Sequence, residues 1–216
     1  MRMERASRAQ SLVEFALVLP FLLLLLGGVV EIGYAFYDYM LMVNANREGV
    51  RLGSRGRFTD EMIFDRIIIA GGWRQGGNTD RVLQTTGDDR NFGMILTHVP
   101  IEADGSLGPI THEVSGTVAI EDSGEIELVF ITEGHSRLTA DDIAHYTNEI
   151  GTNTGLINDY RQDQGYEPQT NEIIIVETFM VHPLLLDFSF GILPIDNPMQ
   201  FYFRSAMRVM RDSSLD

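Results

Sequence analysis

The longest apolar run in the chain lies near its N-terminus, within residues 10–40. Between Phe15 and Val30 there is no charged residue, and most positions are Leu, Val, Phe, Ala or Ile. The hydrocarbon core of a bilayer is ~30 Å thick and takes about 20 mostly apolar helical residues to cross. Leu12 and Val13 before the run, and residues 32–36 after it, extend it to that length. The run therefore predicts a membrane-spanning helix.

A secretory signal and a soluble core helix both fit the apolar run less well. A cleavable secretory signal has an apolar core of about 7–15 residues followed by a small-x-small cleavage site. This run is longer, and the residues that follow it, EIGYAFYDYMLMV, contain no such site. The core helix of a soluble protein keeps a polar stripe, and this run has none.

The charges on either side of the run predict its orientation. Arg2, Arg5 and Arg8 precede it, and with Glu4 they give the first ten residues a net charge of +2, in a chain whose formal net charge is −15. Arginines that flank a membrane span stay on the cytoplasmic side. We therefore expect a single-pass protein of the cell membrane, with a cytoplasmic N-terminus and an acidic extracytoplasmic part.

Glu14 lies at the cytoplasmic start of the run, between Val13 and Phe15. A carboxylate near the bilayer costs free energy unless it finds a partner or reaches the interface, so such residues are functional candidates by default. From position alone, a glutamate that only marks the interface is an equally good interpretation.

Two segments of the long predicted helix resemble a known family. The first is Ala9-Gln10-Ser11-Leu12-Val13-Glu14-Phe15, followed by Pro20 within the apolar run. It resembles the leader junction of type IV pilins, and most closely that of the TadE family of the Tad (Flp) pilus, in which Gly is usual where Ala9 stands. The second is residues 44–51, NANREGVR, which is similar to the segment that closes the long helix in TadE proteins. The resemblance covers residues 9–55 well and 172–211 loosely.

The resemblance implies a processing site and a set of partners. It implies a class III signal peptide, cut between Ala9 and Gln10 by a prepilin peptidase, so that Glu14 becomes the fifth residue and pairs with the α-amino group of a neighbouring subunit. Two opposite charges in a low dielectric lose part of their burial penalty by pairing. The implied partners are membrane lipid before assembly, then the pilus assembly platform and other pilin or pseudopilin subunits, which pack on the N-terminal helix. That helix is marked by Leu12, Phe15, Leu17, Pro20, Leu23, Leu26 and Val30.

The whole pattern predicts an α+β protein in three parts. These are a basic leader at 1–9, a transmembrane and assembly helix at 10–55, and an extracytoplasmic, β-rich head with short helices and long loops at 56–216. An end of the long helix at 44–46 is the alternative. In the head we expect a helix capped by Thr59 or Asp60, and short helices over 141–150 and 156–161. The expected strands are 92–99, 114–120, 125–132, 172–182 and 199–210, with an apolar connection at 184–193 that packs on the core, the bilayer or another subunit.

The sequence offers little chemistry for catalysis or for cofactors. It contains no cysteine, no G-x-S-x-G motif, and five histidines without metal-ligand spacing. The acidic pairs at 88–89 and 141–142 could bind Ca²⁺, but the acidic-ended segment 102–113 has Leu107 where a calcium loop needs Gly. We expect no catalytic residue, no metal and no cofactor. The strong negative charge argues against nucleic acid as a partner.

We therefore expect a minor pilin or pseudopilin of a Tad-type pilus, which contributes to pilus assembly, surface adhesion or secretion and ends in the extracellular pilus. The alternative is a single-pass, membrane-tethered binding or adhesion protein that is neither cleaved nor assembled. An anchored enzyme on the outer face is a further alternative, which a cleft with convergent polar groups would support.

Overall fold

The computed structural model describes residues 2–72, 82–85, 90–122, 125–184 and 199–209, with the backbone alone for residues 2–11, 118–122 and 125–130. In chain order the elements are α1 (Arg2–Gly53), α2 (Asp60–Ala70), β1 (Phe92–Ile101), β2 (Thr111–Asp122), β3 (Glu125–Phe130), α3 (Ala140–Asp163), β4 (Asn171–His182) and β5 (Met199–Arg208). The long N-terminal apolar helix and the small antiparallel sheet confirm the predicted α+β class.

The helix α1 is continuous over 52 residues and contains Pro20. At about 1.5 Å per residue it is roughly 78 Å long. Proline is tolerated in a long apolar helix, although it removes one backbone hydrogen bond. The predicted extension to about residue 54 is confirmed. The alternative end at 44–46 is wrong, because Asn46 is a fully buried helical residue that packs on the sheet.

The five strands form one antiparallel sheet in the order β3-β2-β1-β4-β5. The central pair joins β1 to β4, with Phe92 opposite Met180 and Ile101 opposite Asn171. The register of β2 and β3 sets Asp122 opposite Glu125, so these two strands pair directly after one another in the chain. All five predicted strands are present, and their ends differ from the predicted ones by at most three residues.

Helices cover both faces of the sheet. Alternate residues of a strand point to opposite faces, so each central strand contributes side chains to both layers. Met94, Leu96, Ile174 and Val176 pack with residues of α1 and α2. Their neighbours in the strands, Val99, Ile101, Ile173 and Ile175, pack against Ile143, Tyr146 and Ile150 of α3. The distal half of α1 is therefore one wall of the head.

Glycines explain the one secondary-structure prediction that is wrong. Residues 140–163 form one helix of 24 residues rather than two separate short helices over 141–150 and 156–161. A Cβ atom at Gly151 would lie 2.6 Å from the carbonyl oxygen of Gly105, and one at Gly155 would lie 3.0 Å from that of Asp104. These glycines allow α3 to approach the backbone of the β1–β2 turn, so they serve close packing and do not break the helix.

The short helix α2 begins as predicted. The Thr59 side chain accepts a hydrogen bond from the Met62 backbone N–H, and the helix ends at the cap residue Gly71. Trp73, the acidic pair at 88–89 and nearly all of the apolar connection at 184–193 lie outside the described residues.

Candidate assembly helix and its junction with the head

The first part of α1 carries its apolar side chains on the outside of the molecule. Within the described residues it is the one helix that is long and apolar enough to cross a membrane, by length and composition. Six of the predicted membrane-helix residues have an exposed fraction of 55–70 %: Leu12, Phe15, Leu17, Leu23, Leu26 and Val30. Pro20 is exposed as well. Apolar exposure on this scale marks a surface that lipid or other protein covers.

The environment of α1 changes at Glu31. From there the helix buries one face, formed by Glu31, Ala35, Asp38 and Met42. Their spacing of three, four and seven residues is that of one side of a helix. Residues between them, such as Ile32 and Phe36, stay exposed. The head therefore begins to pack on α1 directly after the uncharged run.

A buried histidine joins the near end of the sheet to α1. His182, the last residue of β4, is fully buried, and its Nδ1 lies 2.8 Å from Asp38 Oδ2. Its Nε2 lies 3.8 Å from Glu31 Oε1, which is too far for a hydrogen bond. The ring of Tyr34 packs against the imidazole at a centroid distance of 5.3 Å. Two acidic side chains of the helix thus lie beside one histidine of the sheet in a buried environment.

Asn46 makes a second polar connection, about two turns further along the helix. Its side-chain amide donates to the Val176 carbonyl oxygen at 3.0 Å and to Thr178 Oγ1 at 3.2 Å. The Ser205 hydroxyl of β5 donates to Asn46 Oδ1. All the hydrogen-bonding groups of a buried amide need partners, and here two adjacent strands supply them, so the depth and rotation of α1 on the sheet are fixed.

Close packing completes the junction at the far end of α1. A Cβ atom at Gly49 would lie 2.2 Å from Ile67 Cγ1 of α2, so glycine is required for this approach of the two helices. Beside it, the Glu48 carboxylate accepts hydrogen bonds from Arg51 at 2.8 Å and from Arg66 at 2.5 Å. The Arg51 hydrogen bond, followed by that of Arg66, lowers the pKa of Glu48 to about 2.

The segment that spans the exposed run and most of this junction matches the model of a protein family. Residues 9–51 match the model of the TadE-like protein family. The match covers 43 of the 216 residues and confirms the predicted resemblance of this segment to the TadE family. No curated protein and no solved structure matches the chain.

The TadE-like segment includes both the exposed apolar run and the side chains that hold the head. Asn46, Glu48 and Gly49 all lie within it, and the structure gives each one a contact with β4, β5 or α2. The second family-like motif of the sequence is therefore the part of α1 that is built into the head. The remaining residues of the head lie beyond the match.

The predicted processing residues lie at the other end of the TadE-like segment. Ala9 and Gln10 are part of the α1 backbone, while Glu14 and Phe15 are exposed on the helix. Both exposed side chains lie before the part of α1 that packs on the head. Glu14 is separated from the first buried residue, Glu31, by 17 positions, or roughly 25 Å of helix. The role of the four residues in processing and assembly stays a prediction.

The sequence interpretation missed the junction residues Glu31, Asp38 and His182. A signal for the first two was present, because acidic residues seven apart lie on the same side of a helix. No pattern along the chain linked them to His182, 144 residues beyond Asp38. That link comes from the antiparallel sheet, which returns the end of β4 to the base of the head.

On the opposite face of the sheet, a buried carboxylate fastens the segment before α3. Glu177 is fully buried and accepts hydrogen bonds from the Ser136 hydroxyl at 2.6 Å, the Arg137 backbone N–H at 2.8 Å and the Tyr202 hydroxyl at 2.7 Å. Burial, together with the Glu177 hydrogen bond, raises the pKa of Tyr202 above its ordinary value. Asp142, one of the acidic residues considered for Ca²⁺, accepts hydrogen bonds from Thr139 and pairs with Arg204.

Proposed function

We propose that the chain is a structural subunit of a Tad-type pilus, a minor pilin or pseudopilin whose N-terminal helix first spans the membrane and then packs among other subunits. The observation that supports this most strongly is the overlap between the family match and the exposed helix. Residues 9–51 match the TadE-like family, and the apolar side chains of residues 12–30 project from the head with no described residue covering them.

In the membrane, the exposed run is long enough to cross the bilayer. Leu12–Val30 is 19 residues, or roughly 28 Å of helix, close to the ~30 Å hydrocarbon core. The three arginines near the N-terminus stay in the cytoplasm. Glu31 then falls at the outer surface of the bilayer, and the head stands directly on the membrane.

In the pilus, the same side chains exchange lipid for the helices of neighbouring subunits. A prepilin peptidase cuts between Ala9 and Gln10 and leaves the helix on the mature chain. The new α-amino group is a cation at the end of an apolar helix, and Glu14 of a neighbouring subunit offers it a carboxylate. Pairing reduces the cost of burying both charges. The assembly platform and the other subunits are the partners of this step, and the chain has no catalytic role in it.

The rigid junction gives the head its part in assembly. His182, Asn46 and Gly49 connect α1 to β4, β5 and α2 over about 18 residues of helix, so a subunit that is moved by its helix carries the head with it. The head then supplies a folded surface for adhesion or secretion.

The substitution Glu14→Ala tests the assembly step. The variant is expected to enter the membrane at the normal level and to be depleted severalfold from pili sheared off the native host, because the amine of its neighbour loses its counter-ion. Glu113→Ala, which removes an exposed carboxylate of the head, is the matched control. Normal incorporation of the Glu14 variant would remove the proposed pairing.

A further inference from the structure

His98 lies between two carboxylates that come from different elements of the head. Its Nδ1 is 2.6 Å from Glu172 Oε1, in the second residue of β4, and its Nε2 is 3.1 Å from Asp60 Oδ1, in the first residue of α2. Because His98 itself belongs to β1, the imidazole links α2 to the two central strands of the sheet. This end of the head is the one most distant from the exposed run of α1.

Only one protonation state of the imidazole satisfies both contacts. The imidazolium ion donates from both nitrogens, whereas the neutral ring donates from one and presents a lone pair with the other. In the neutral state, one of the two carboxylates would face that lone pair. The hydrogen bond to Glu172 and the negative charges of Asp60 and Glu172 raise the pKa of His98, and burial opposes the shift.

Protons can reach this site from solvent. The His98 side chain is 20 % exposed and lines an open cavity of about 430 Å³, whose walls also include Asp60, Glu172 and Glu102. Glu102, from the β1–β2 turn, is the further carboxylate on that wall, and β2 contributes the uncharged Thr111. Apart from His98, the ionisable residues that line this cavity are all acidic, and a nearby negative charge favours the cation.

The contact between His98 and Asp60 can affect how α2 packs on α1. It holds the first residue of α2, and the rest of α2 packs on α1, where Ile67 meets Gly49 and Arg66 pairs with Glu48. Thr59 caps the same helix end, so the backbone remains capped when the imidazole loses its proton. A change at His98 would therefore alter the docking of α2 before it disturbed the helix itself.

We propose that His98 is a proton-dependent clamp, which fastens α2 to the sheet when it is charged and loosens α2 when it is neutral. A group whose pKa is raised by folding stabilises the fold fully below its unfolded pKa of about 6.5, and this contribution is lost as the pH rises through the folded pKa. The clamp also needs ionised carboxylates, so it weakens again in strong acid. The docking of α2 is firmest in mildly acidic solution and loosens as the pH rises through the raised pKa of His98.

Hydrogen–deuterium exchange on the full chain in detergent micelles tests the clamp. After correction for intrinsic exchange rates, the protection of the α2 amides is expected to fall about threefold or more between about pH 6 and pH 9. In His98→Gln, protection should already be low at pH 6 and should change little with pH. His145→Gln, which alters an exposed histidine on α3, is expected to behave like the unchanged chain. Equal pH dependence in the unchanged chain and in His98→Gln would overturn the proposal.

A second variant keeps the test decisive if His98→Gln does not fold. Asp60→Asn removes one of the two carboxylates and leaves the Thr59 cap in place. In NMR titrations of the imidazole, the His98 midpoint of the unchanged chain should lie above about 6.5, and Asp60→Asn should lower it. A midpoint at or below 6.5 in the unchanged chain would contradict the proposal.

Discussion

Asn46 Nδ2 lies 3.0 Å from the carbonyl oxygen of Val176, so a side chain of the long helix is hydrogen-bonded to the backbone of the central sheet. The contact joins residues 130 positions apart and lies inside the segment that matches the TadE-like family. One helix thus has two environments along its length: the apolar side chains of its N-terminal part are exposed, and its C-terminal part is built into the head.

Asn46→Ala is expected to lower the free energy of unfolding of the head by about 1–3 kcal/mol, because Ser205 and the strand groups lose a buried partner. Asn44→Ala is the matched control, since Asn44 is exposed two residues earlier in the same helix. Exposed substitutions of this kind stay within about 0.5 kcal/mol. Denaturant unfolding in micelles, followed by circular dichroism, measures both variants. Equal effects would show that Asn46 does not hold the junction.

Gly49→Val tests the close approach of α1 and α2. The added side chain would overlap Ile67, and overpacking of this kind costs about 1–3 kcal/mol. Gly33→Val provides the comparison, because a Cβ atom at Gly33 meets nothing within 4 Å. Thermal unfolding is expected to shift to lower temperature in the first variant only. If Gly49→Val unfolds at the same temperature as Gly33→Val, α2 does not pack closely against α1 at Gly49.

Glu177→Gln replaces one acceptor oxygen of a buried carboxylate with a donor. Three donors converge on Glu177, so one of them would face an N–H group, at a cost of about 1–3 kcal/mol. The free energy of unfolding should fall by that amount, and limited proteolysis should cut faster near Arg137. Glu113→Gln, on the exposed part of β2, is expected to change neither measurement. A stable and protease-resistant Glu177 variant would contradict the proposed role of this carboxylate.

The Glu48 ion pairs predict a dependence of stability on acidic pH. The pKa of Glu48 falls from its ordinary value of 4.5 to about 2 in the folded protein. A depressed carboxyl pKa contributes stability that is present above pH 4.5 and is lost as the pH falls to about 2. Because the pair is partly exposed, this contribution is about 0.2–1 kcal/mol.

The measurement compares Glu48→Gln with the unchanged chain by thermal unfolding across this pH window. The difference between the two midpoints should shrink as the pH approaches 2. Glu149→Gln, an exposed position on α3, controls for the loss of a carboxylate as such. A difference that stays constant across the window would mean that the two arginines do not hold Glu48 in its charged form.

The elements that the sequence predicted well are those set by local patterns. The apolar run, the Thr59 cap and the β-branched strand at 172–182 each identify their structure within a short window. The two short helices predicted in place of α3 are wrong, because glycine is a helix breaker in local patterns, whereas Gly151 and Gly155 here serve close packing. Their role depends on the turn at Asp104 and Gly105, which lies almost 50 positions away.

The junction was harder to predict than the fold, for a similar reason. The sequence shows that Glu31 and Asp38 follow the apolar run, but it does not show that they are buried against His182. The pairing depends on the order of the strands and on the return of β4 toward the base of the head. His98 is a parallel case, since its two carboxylates belong to α2 and β4. Titratable pairs within one element include Glu31 and Asp38 in α1, but the histidine of each cluster comes from a different element than its carboxylates.

The N-terminus of the mature chain tests the central claim most directly. Mass spectrometry of the protein from membranes and pili of its native host, with Ala9→Leu as the processing-deficient comparison, gives the first residue of each form. The proposed function predicts a chain that begins at Gln10, and a chain that still begins at Met1 or Arg2 when Ala9 is replaced by Leu. An unprocessed N-terminus in the unchanged protein would support a permanently tethered protein, and a start beyond Val30 would identify the run as a secretory signal. Either result would contradict assembly through this helix.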